Sequence, residues 1–199
     1  MQKIVVPGEK LEDKPLRIDE AFTEDGKTYS TIMGMYDDVR KVLTPLEGLW
    51  YPRPGDDTVG VVQEDKFNVY IIDLNSPYRG LIFAKDCNED LIAGDIIEAE
   101  VKELDKTKTV ILARPRKLIG GKILYVRPSK IPRLLGKSNT MLRQITQLTQ
   151  TSATVGLNGL VWLKGGRIDA ATEAVATVQN EAHTAGLTDR IRAMLERHR

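Results

Sequence analysis

Between Ile131 and Thr140 the chain reads Ile-Pro-Arg-Leu-Leu-Gly-Lys-Ser-Asn-Thr. A short helix ending at Gly136 and a new helix beginning near Thr140 leave a loop of Gly136, Lys137, Ser138 and Asn139. Backbone N–H groups of such a loop, at a helix N-terminus, attract phosphate. Lys137 adds a positive charge. Gly136-Lys137-Ser138 also ends like a nucleotide-binding P-loop, but that motif needs a glycine five positions before Gly136, in a turn after a strand. Ile131 stands there, inside the expected helix, so a nucleotide site is rejected.

Phe67, Tyr70 and Phe83 lie on or beside two successive apolar runs, with Lys66, Arg79 and Lys85 close to them. Aromatic faces stack bases whatever their identity and basic side chains hold phosphates, so this grouping suits weakly selective binding of single strands. The plainer alternative places each ring in a core. Asp37-Asp38, Asp56-Asp57 and Asp86 with Glu89-Asp90 could supply carboxylates for Mg²⁺ chemistry. They fall in expected turns, whereas two-metal sites need carboxylates on rigid strands, and no catalytic role is assigned to them. Cys87 is the only cysteine, which excludes disulfides and zinc sites built on paired thiolates. His183 and His198 have no ligand cluster near them in sequence. No cofactor or metal is implied.

The net charge of +1 conceals a strong asymmetry. Residues 1–55 carry 8 basic and 10 acidic side chains, residues 56–113 carry 6 and 13, and residues 114–199 carry 15 and 5. No acidic residue occurs from Arg114 to Ile168. A polyanion is the expected partner of such a segment, and the alternative is a basic face docked on the acidic half of the same chain. The acidic middle segment restricts RNA there to loop tips.

The elements that must position these residues fall into three groups, giving a multi-domain chain of β and α+β class. Residues 1–53 read as a small β domain with strands at Ile4–Val6, Thr28–Met35 and Val39–Leu43, bounded by Tyr51-Pro52-Arg53-Pro54-Gly55. Residues 54–114 hold five apolar runs, Val59–Val62, Asn68–Leu74, Gly80–Phe83, Asp95–Glu103 and Thr109–Ala113, with turns such as Asp105-Lys106 between them. Within the fourth run, Ile97, Ala99 and Val101 alternate with charged residues, as one dry and one wet face require. Five strands in so short a segment suit a closed OB barrel better than an open sheet.

Residues 115–199 read strand (Lys122–Val126), short helix (Ser129–Leu135), helix (Thr140–Thr149), hairpin (Ala153–Leu157 and Leu160–Lys164, turning at Asn158-Gly159) and long helix. The long helix carries Ile168, Ala171, Val175, Val178 and Ala182 on one stripe and is expected to stop at Gly186. Thr188 is expected to cap the last helix. This order gives a three-stranded sheet with helices on one face. The loop at Gly136 then resembles the GxxG element of a KH domain, which clamps about four nucleotides of RNA backbone. Asn139 stands in place of its second glycine and tolerates a left-handed backbone better than other side-chain-bearing residues.

The module order and several stretches resemble the RNA-binding cap subunit of the archaeal exosome. These are Val5-Val6-Pro7-Gly8, Asp73-Leu74-Asn75-Ser76-Pro77-Tyr78, Gly156-Leu157-Asn158-Gly159-Leu160-Val161-Trp162, and Glu181 to Arg190. The resemblance implies a non-catalytic subunit with an S-one-type OB domain and a KH domain. It implies single-stranded RNA as ligand, a hexameric ring of RNase PH-like subunits as partner, and a homotrimeric or mixed cap as the assembly. The cap gathers RNA and passes it to a pore where 3′-to-5′ phosphorolysis occurs. Lys66, Tyr78, Arg79 and Lys85 would contact RNA on the pore side, and Arg127, Lys130, Arg133 and Lys137 would form a KH-side basic patch. The GxNG element of residues 156–159 would be structural. The runner-up is a stand-alone RNA-binding regulator of transcription or translation. With no run of about 20 apolar residues and no signal-peptide core before Pro7-Gly8, the expected location is cytoplasmic, away from membranes.

Overall fold

Short strands punctuated by glycine, proline and Asp-Gly dominate the first quarter of the chain. A computed structural model describes residues 2–18, 20–45, 48–105, 108–182 and 186–197. Lys106 of the expected Asp105-Lys106 turn, His183 to Ala185 of the C-terminal stretch, and His198 lie outside the described residues. The chain divides into two units, Met1–Gly48 and Leu49–Arg199.

The first unit contains β1 (Gln2–Val5), β2 (Lys10–Glu12), β3 (Ala21–Glu24), β4 (Lys27–Ser30), β5 (Gly34–Asp37) and β6 (Val42–Pro45). They form two three-stranded sheets, β1-β5-β6 and β2-β4-β3, around Val5, Leu11, Ile18, Tyr36 and Leu43. Asp25 and Gly26, at φ +49° and +73°, make the tight hairpin between β3 and β4. The single strand expected over Thr28–Met35 is instead two strands in different sheets. The Ser30 hydroxyl donates to the Ile32 carbonyl at 2.6 Å and accepts the Ile32 N–H at 3.2 Å, turning the chain between them.

In the second unit, β7 (Asp57–Lys66), β8 (Val69–Asp73), β9 (Arg79–Phe83), β10 (Ile96–Leu104) and β11 (Thr109–Leu118) close into a barrel of order β10-β11-β9-β8-β7. Closure runs through the antiparallel β7–β10 pair, and β9 and β11 pair in parallel. Every strand of a closed sheet has two neighbours, so no edge is left to solvent. Val62, Ile72, Leu74, Ile82, Ile97, Val101, Val110 and Leu112 fill the interior. Trp50 joins that core, its Nε1 donating to Asp56 at 2.9 Å, so the proline-rich stretch of residues 51–55 lies inside this unit. At Gly80 a Cβ would stand 2.9 Å from the Leu112 side chain and 3.0 Å from that of Ile72, so glycine is what lets β9 fit there.

The rest of the unit comprises β12 (Lys122–Tyr125), α1 (Ile131–Leu135), α2 (Thr140–Thr149), β13 (Ser152–Val155), β14 (Leu160–Lys164), α3 (Ile168–Asn180) and α4 (Leu187–Arg197). The sheet order is β12-β14-β13. Met141 and Ile145 of α2, Ala171, Ala174, Val175 and Val178 of α3, and Leu187, Ile191 and Leu195 of α4 share one core with Val161 and Leu163. α3 ends at Asn180, short of the expected stop at Gly186. Gly186, at φ +67°, instead precedes α4, and its carbonyl accepts the Arg190 N–H at 3.2 Å. Thr188 therefore lies inside α4 and does not cap it.

The β13–β14 connection is a four-residue loop, Gly156 to Gly159, closed by the Gly156 N–H donating to the Leu160 carbonyl at 2.8 Å. Only Gly159, at φ +91°, has the positive φ expected of both Asn158 and Gly159. The Asn158 side chain points into the barrel junction. Its Nδ2 donates to the carbonyls of Val59 at 2.7 Å and Leu74 at 2.9 Å. Beside this seam Val59 and Leu118 of the barrel pack with Leu160 and Trp162.

Candidate nucleic-acid interface

Alternation along β8 and β9 sorts their residues between barrel core and outer surface. Tyr70, Ile72, Gly80 and Ile82 are buried, while Val69, Ile71, Leu81 and Phe83 are half-buried and Asp73 and Arg79 exposed. On the outer face Val69 pairs with Phe83, Ile71 with Leu81 and Asp73 with Arg79. Ile111 of β11 extends this apolar strip beyond Leu81, and Lys66 of β7 adjoins Val69. Lys85 Nζ lies 5.5 Å from the Phe83 ring centroid, within cation–π range. Lys66 is also held at 2.7 Å from Glu64.

Phe67 stands at the β7–β8 hairpin tip, 95% exposed, and Asn68 beside it turns the chain at φ +73°. Tyr78 meets Tyr51 edge to face, with ring centroids 5.5 Å apart and planes at 73°. The Ser76 hydroxyl brackets Tyr78, accepting its N–H at 3.2 Å and donating to its carbonyl at 3.1 Å. Lys66, Phe67, Arg79, Phe83 and Lys85 therefore share the outer side of β7 to β9 and its rim.

Tyr70 does not belong with them. It is 6% exposed, packs in the barrel core, and its hydroxyl accepts the Leu91 N–H at 3.4 Å. In the run Val69 to Leu74 the face of Tyr70, Ile72 and Leu74 is wholly apolar while that of Val69, Ile71 and Asp73 carries a charge, a sign of the inward face that grouping Tyr70 with the RNA-facing rings passed over.

In the second group, Gly136 ends α1 at φ +70°, its N–H donating to the Pro132 carbonyl at 3.0 Å. Ser138 and Asn139 follow at φ +52° and +61°, both left-handed, and α2 begins at Thr140. The Asn139 N–H donates to the Gly136 carbonyl at 3.2 Å, so one of the amides expected to be available is engaged. Lys137, Ser138 and Asn139 are exposed, and so are Arg127 and Arg133, while Lys130 and Gly136 are half-buried. The Arg127 N–H donates to Gln179 at 2.9 Å, anchoring the chain just after β12.

The acid-free stretch divides in two. Arg114 pairs with Glu100 at 3.0 Å, Arg116 donates through Nε to Glu98 at 2.8 Å, and Lys117 pairs with Asp95 at 2.6 Å. For these three cations the partner is the acidic barrel itself. Lys122, Arg127, Lys130, Arg133, Lys137, Arg143 and Lys164 lie beyond the barrel, on the α+β part. Of the carboxylates weighed for metal chemistry, Asp37 accepts the N–H groups of Val39 and Arg40 at 3.0 Å each, and Asp56 accepts Trp50 Nε1 and, at 3.1 Å, the Arg53 N–H. Sequence reasoning missed Tyr51, which a proline-rich boundary disguised, and the inward-facing Asn158, which a hairpin dipeptide disguised.

Comparison with known proteins agrees with this architecture. Residues 121–169 match the model of the KH domain family. The exosome complex component Rrp4 of Methanothermus fervidus is 33% identical over 98% of this chain and 95% of its own length. That of Thermococcus kodakarensis is 35% identical over 98% of this chain and 85% of its own. A crystal structure provisionally described as that of an exosome complex RNA-binding protein superposes with a TM-score of 0.69. It is 28% identical and covers 75% of this chain and 97% of its own. With closed barrel, KH domain and end-to-end similarity together, the chain belongs to the archaeal Rrp4 family of exosome complex components.

Proposed function

We propose that this protein is a non-catalytic RNA-binding subunit of the exosome that captures single-stranded RNA and delivers it to a degrading ring. The observation that carries the reading is the outer face of β8 and β9, where Phe83 and its apolar neighbours are flanked by Lys66, Arg79 and Lys85. Such a face stacks bases and neutralises phosphates with little choice of sequence. In this reading the first unit docks on a hexameric ring of RNase PH-like subunits, three cap subunits surround its pore, and RNA passes to 3′-to-5′ phosphorolysis. The KH-side cations Arg127, Lys130, Arg133 and Lys137 add a peripheral contact.

The reading is tested by recovering the tagged protein from its native lysate and measuring its partners' stoichiometry. Stoichiometric ring subunits support it, and recovery of RNA polymerase or ribosomes without them replaces it with the regulator role. A second test is RNA affinity against salt. Arg79→Ala and Lys85→Ala should weaken binding and flatten the log–log slope by about 0.7 for each phosphate that is no longer neutralised, without altering assembly. An unchanged slope and affinity would remove this face from the RNA path.

A further inference from the structure

An open cleft of about 520 Å³ runs along the seam between the barrel and β12, lined among others by Leu49, Asp73, Asn75, Tyr125 and Leu160. Its volume is within the range of about 300–1,000 Å³ typical of ligand pockets. Tyr125 is 54% exposed and Leu49 is 72% exposed, although both adjoin the packed junction. On the barrel side, Asp73 sits opposite Arg79 across β8 and β9, and Asn75 opens the turn that carries Tyr78 to Tyr51. On the β12 side, the chain passes from Tyr125 through buried Val126 to exposed Arg127.

We propose that this cleft is a nucleobase-binding station on the RNA path, joining the barrel face to the KH-side basic patch. The inference rests on the RNA-capture reading above and extends it to a site between the two modules. A base stacks on Tyr125 against Leu49, and the phosphates on either side of it meet Arg79 and Arg127. A nucleotide fits what surrounds the cleft, an apolar wall of Leu49, Tyr125 and Leu160 with cations on the adjoining chain segments, whereas an apolar peptide side chain needs only the wall. Asp73 inside the cleft repels phosphate, so the base enters and the backbone stays out. Its carboxylate, already accepting the Asn75 N–H at 2.8 Å, has lone pairs left for an exocyclic amino group. Adenine, cytosine and guanine carry that group and uracil does not.

The experiment measures fluorescence anisotropy of the full chain with labelled oligoadenylate of twelve and of four nucleotides, the shorter being one that an OB surface holds by itself. Tyr125→Ala should weaken the dodecamer roughly 5- to 50-fold, as expected for the removal of one base–aromatic stack. Tyr125→Phe should bind like the parent, the tetramer should be indifferent to either change, and oligouridylate should bind more weakly than oligoadenylate. Dodecamer binding unchanged in Tyr125→Ala but reduced in Lys85→Ala would overturn the station and leave the barrel face as the RNA site. Equal losses in the Ala and Phe variants, or a matching loss with the tetramer, would overturn it as structural damage. Intact RNA binding with loss of ring subunits from a pull-down would overturn it in favour of a protein contact. If the parent bound neither oligonucleotide, the RNA-capture reading would fall as well.

Discussion

Asn158 and Val59, 99 residues apart, are joined by two hydrogen bonds: the Asn158 amide donates to the Val59 carbonyl at 2.7 Å and its carbonyl oxygen accepts the Val59 N–H at 3.3 Å. One planar side chain thus pairs with a barrel strand as another strand would. The same Nδ2 reaches the Leu74 carbonyl, and the neighbouring Leu157 N–H donates to the Asp57 carbonyl at 2.8 Å. At Gly156 a Cβ would overlap the Val59 amide nitrogen, so this loop approaches β7 as closely as only glycine permits.

Replacing Asn158 by Ala or Asp should therefore cost about 2–4 kcal/mol, because buried Val59 and Leu74 groups lose partners and each such loss costs about 1–3 kcal/mol. Both tryptophans, Trp50 and Trp162, belong to this unit, so denaturant unfolding followed by their fluorescence reads the change directly. A loss below about 0.5 kcal/mol would mean that the seam is held by Leu118, Leu160 and Trp162 alone.

Tyr70 separates packing from RNA contact. Tyr70→Phe should fold normally and bind RNA unchanged, while Tyr70→Ala should lose about 3–5 kcal/mol through the cavity it leaves. Thermal unfolding and RNA titration of the two variants check this. Loss of RNA affinity in a well-folded Tyr70→Phe would return the residue to the interface.

Acid should loosen the first unit through Glu12. Its carboxylate takes a hydrogen bond from Lys41 and another from Tyr36 Oη at 2.7 Å, and these hold it below the usual carboxylate range. Burial first, and Glu12 second, push the Tyr36 hydroxyl upward, keeping it a donor. A carboxyl group with a lowered folded-state value stabilises fully above its unfolded value of about 4.3 and loses that contribution as pH falls through the folded value. Protection factors of β2 and β5 amides, which correct for the intrinsic slowing of base-catalysed exchange in acid, should thus fall more steeply between pH 5 and pH 3 in the parent than in Glu12→Gln, by about the proton uptake of one group. An equal fall in both would remove Glu12 from the acid response.

The left-handed pair at Ser138 and Asn139 predicts an asymmetric response to substitution. Asn139→Gly should leave stability within a few tenths of a kcal/mol, and Asn139→Val should lose about 1–2 kcal/mol, because a β-branched side chain crowds the carbonyl at φ +61°. Thermal unfolding decides this. If the Asn139 side chain obstructs RNA at the KH loop, the Gly variant also binds oligoadenylate more tightly.

Residue periodicity determined much of this protein before any tertiary neighbour was known. In β10 the alternation of Ile97, Ala99 and Val101 with charged neighbours requires one buried face, and all three are buried. The spacing of Ala171, Val175 and Val178 likewise requires one buried stripe on α3, and all three are buried. These signals are local, because a side chain's direction follows from its position along a strand or helix. The short polar strands β2 and β3 left no such trace, since three or four residues barely complete a period.

Tertiary structure alone decided the rest. Barrel closure set Tyr70 in the core, left Phe83 half-buried on the outer face, and brought Ile111 of β11 beside Leu81 by a parallel pairing that no local pattern announces. The pairing of Arg114, Arg116 and Lys117 with Glu100, Glu98 and Asp95 depended on the register of β11 against β10 and on the approach of Lys117 to the start of β10. Asn158 could be read locally only as a turn residue. Its three hydrogen bonds reach residues 84 and 99 positions away, and no sequence window spans partners that only the packing of two modules brings together.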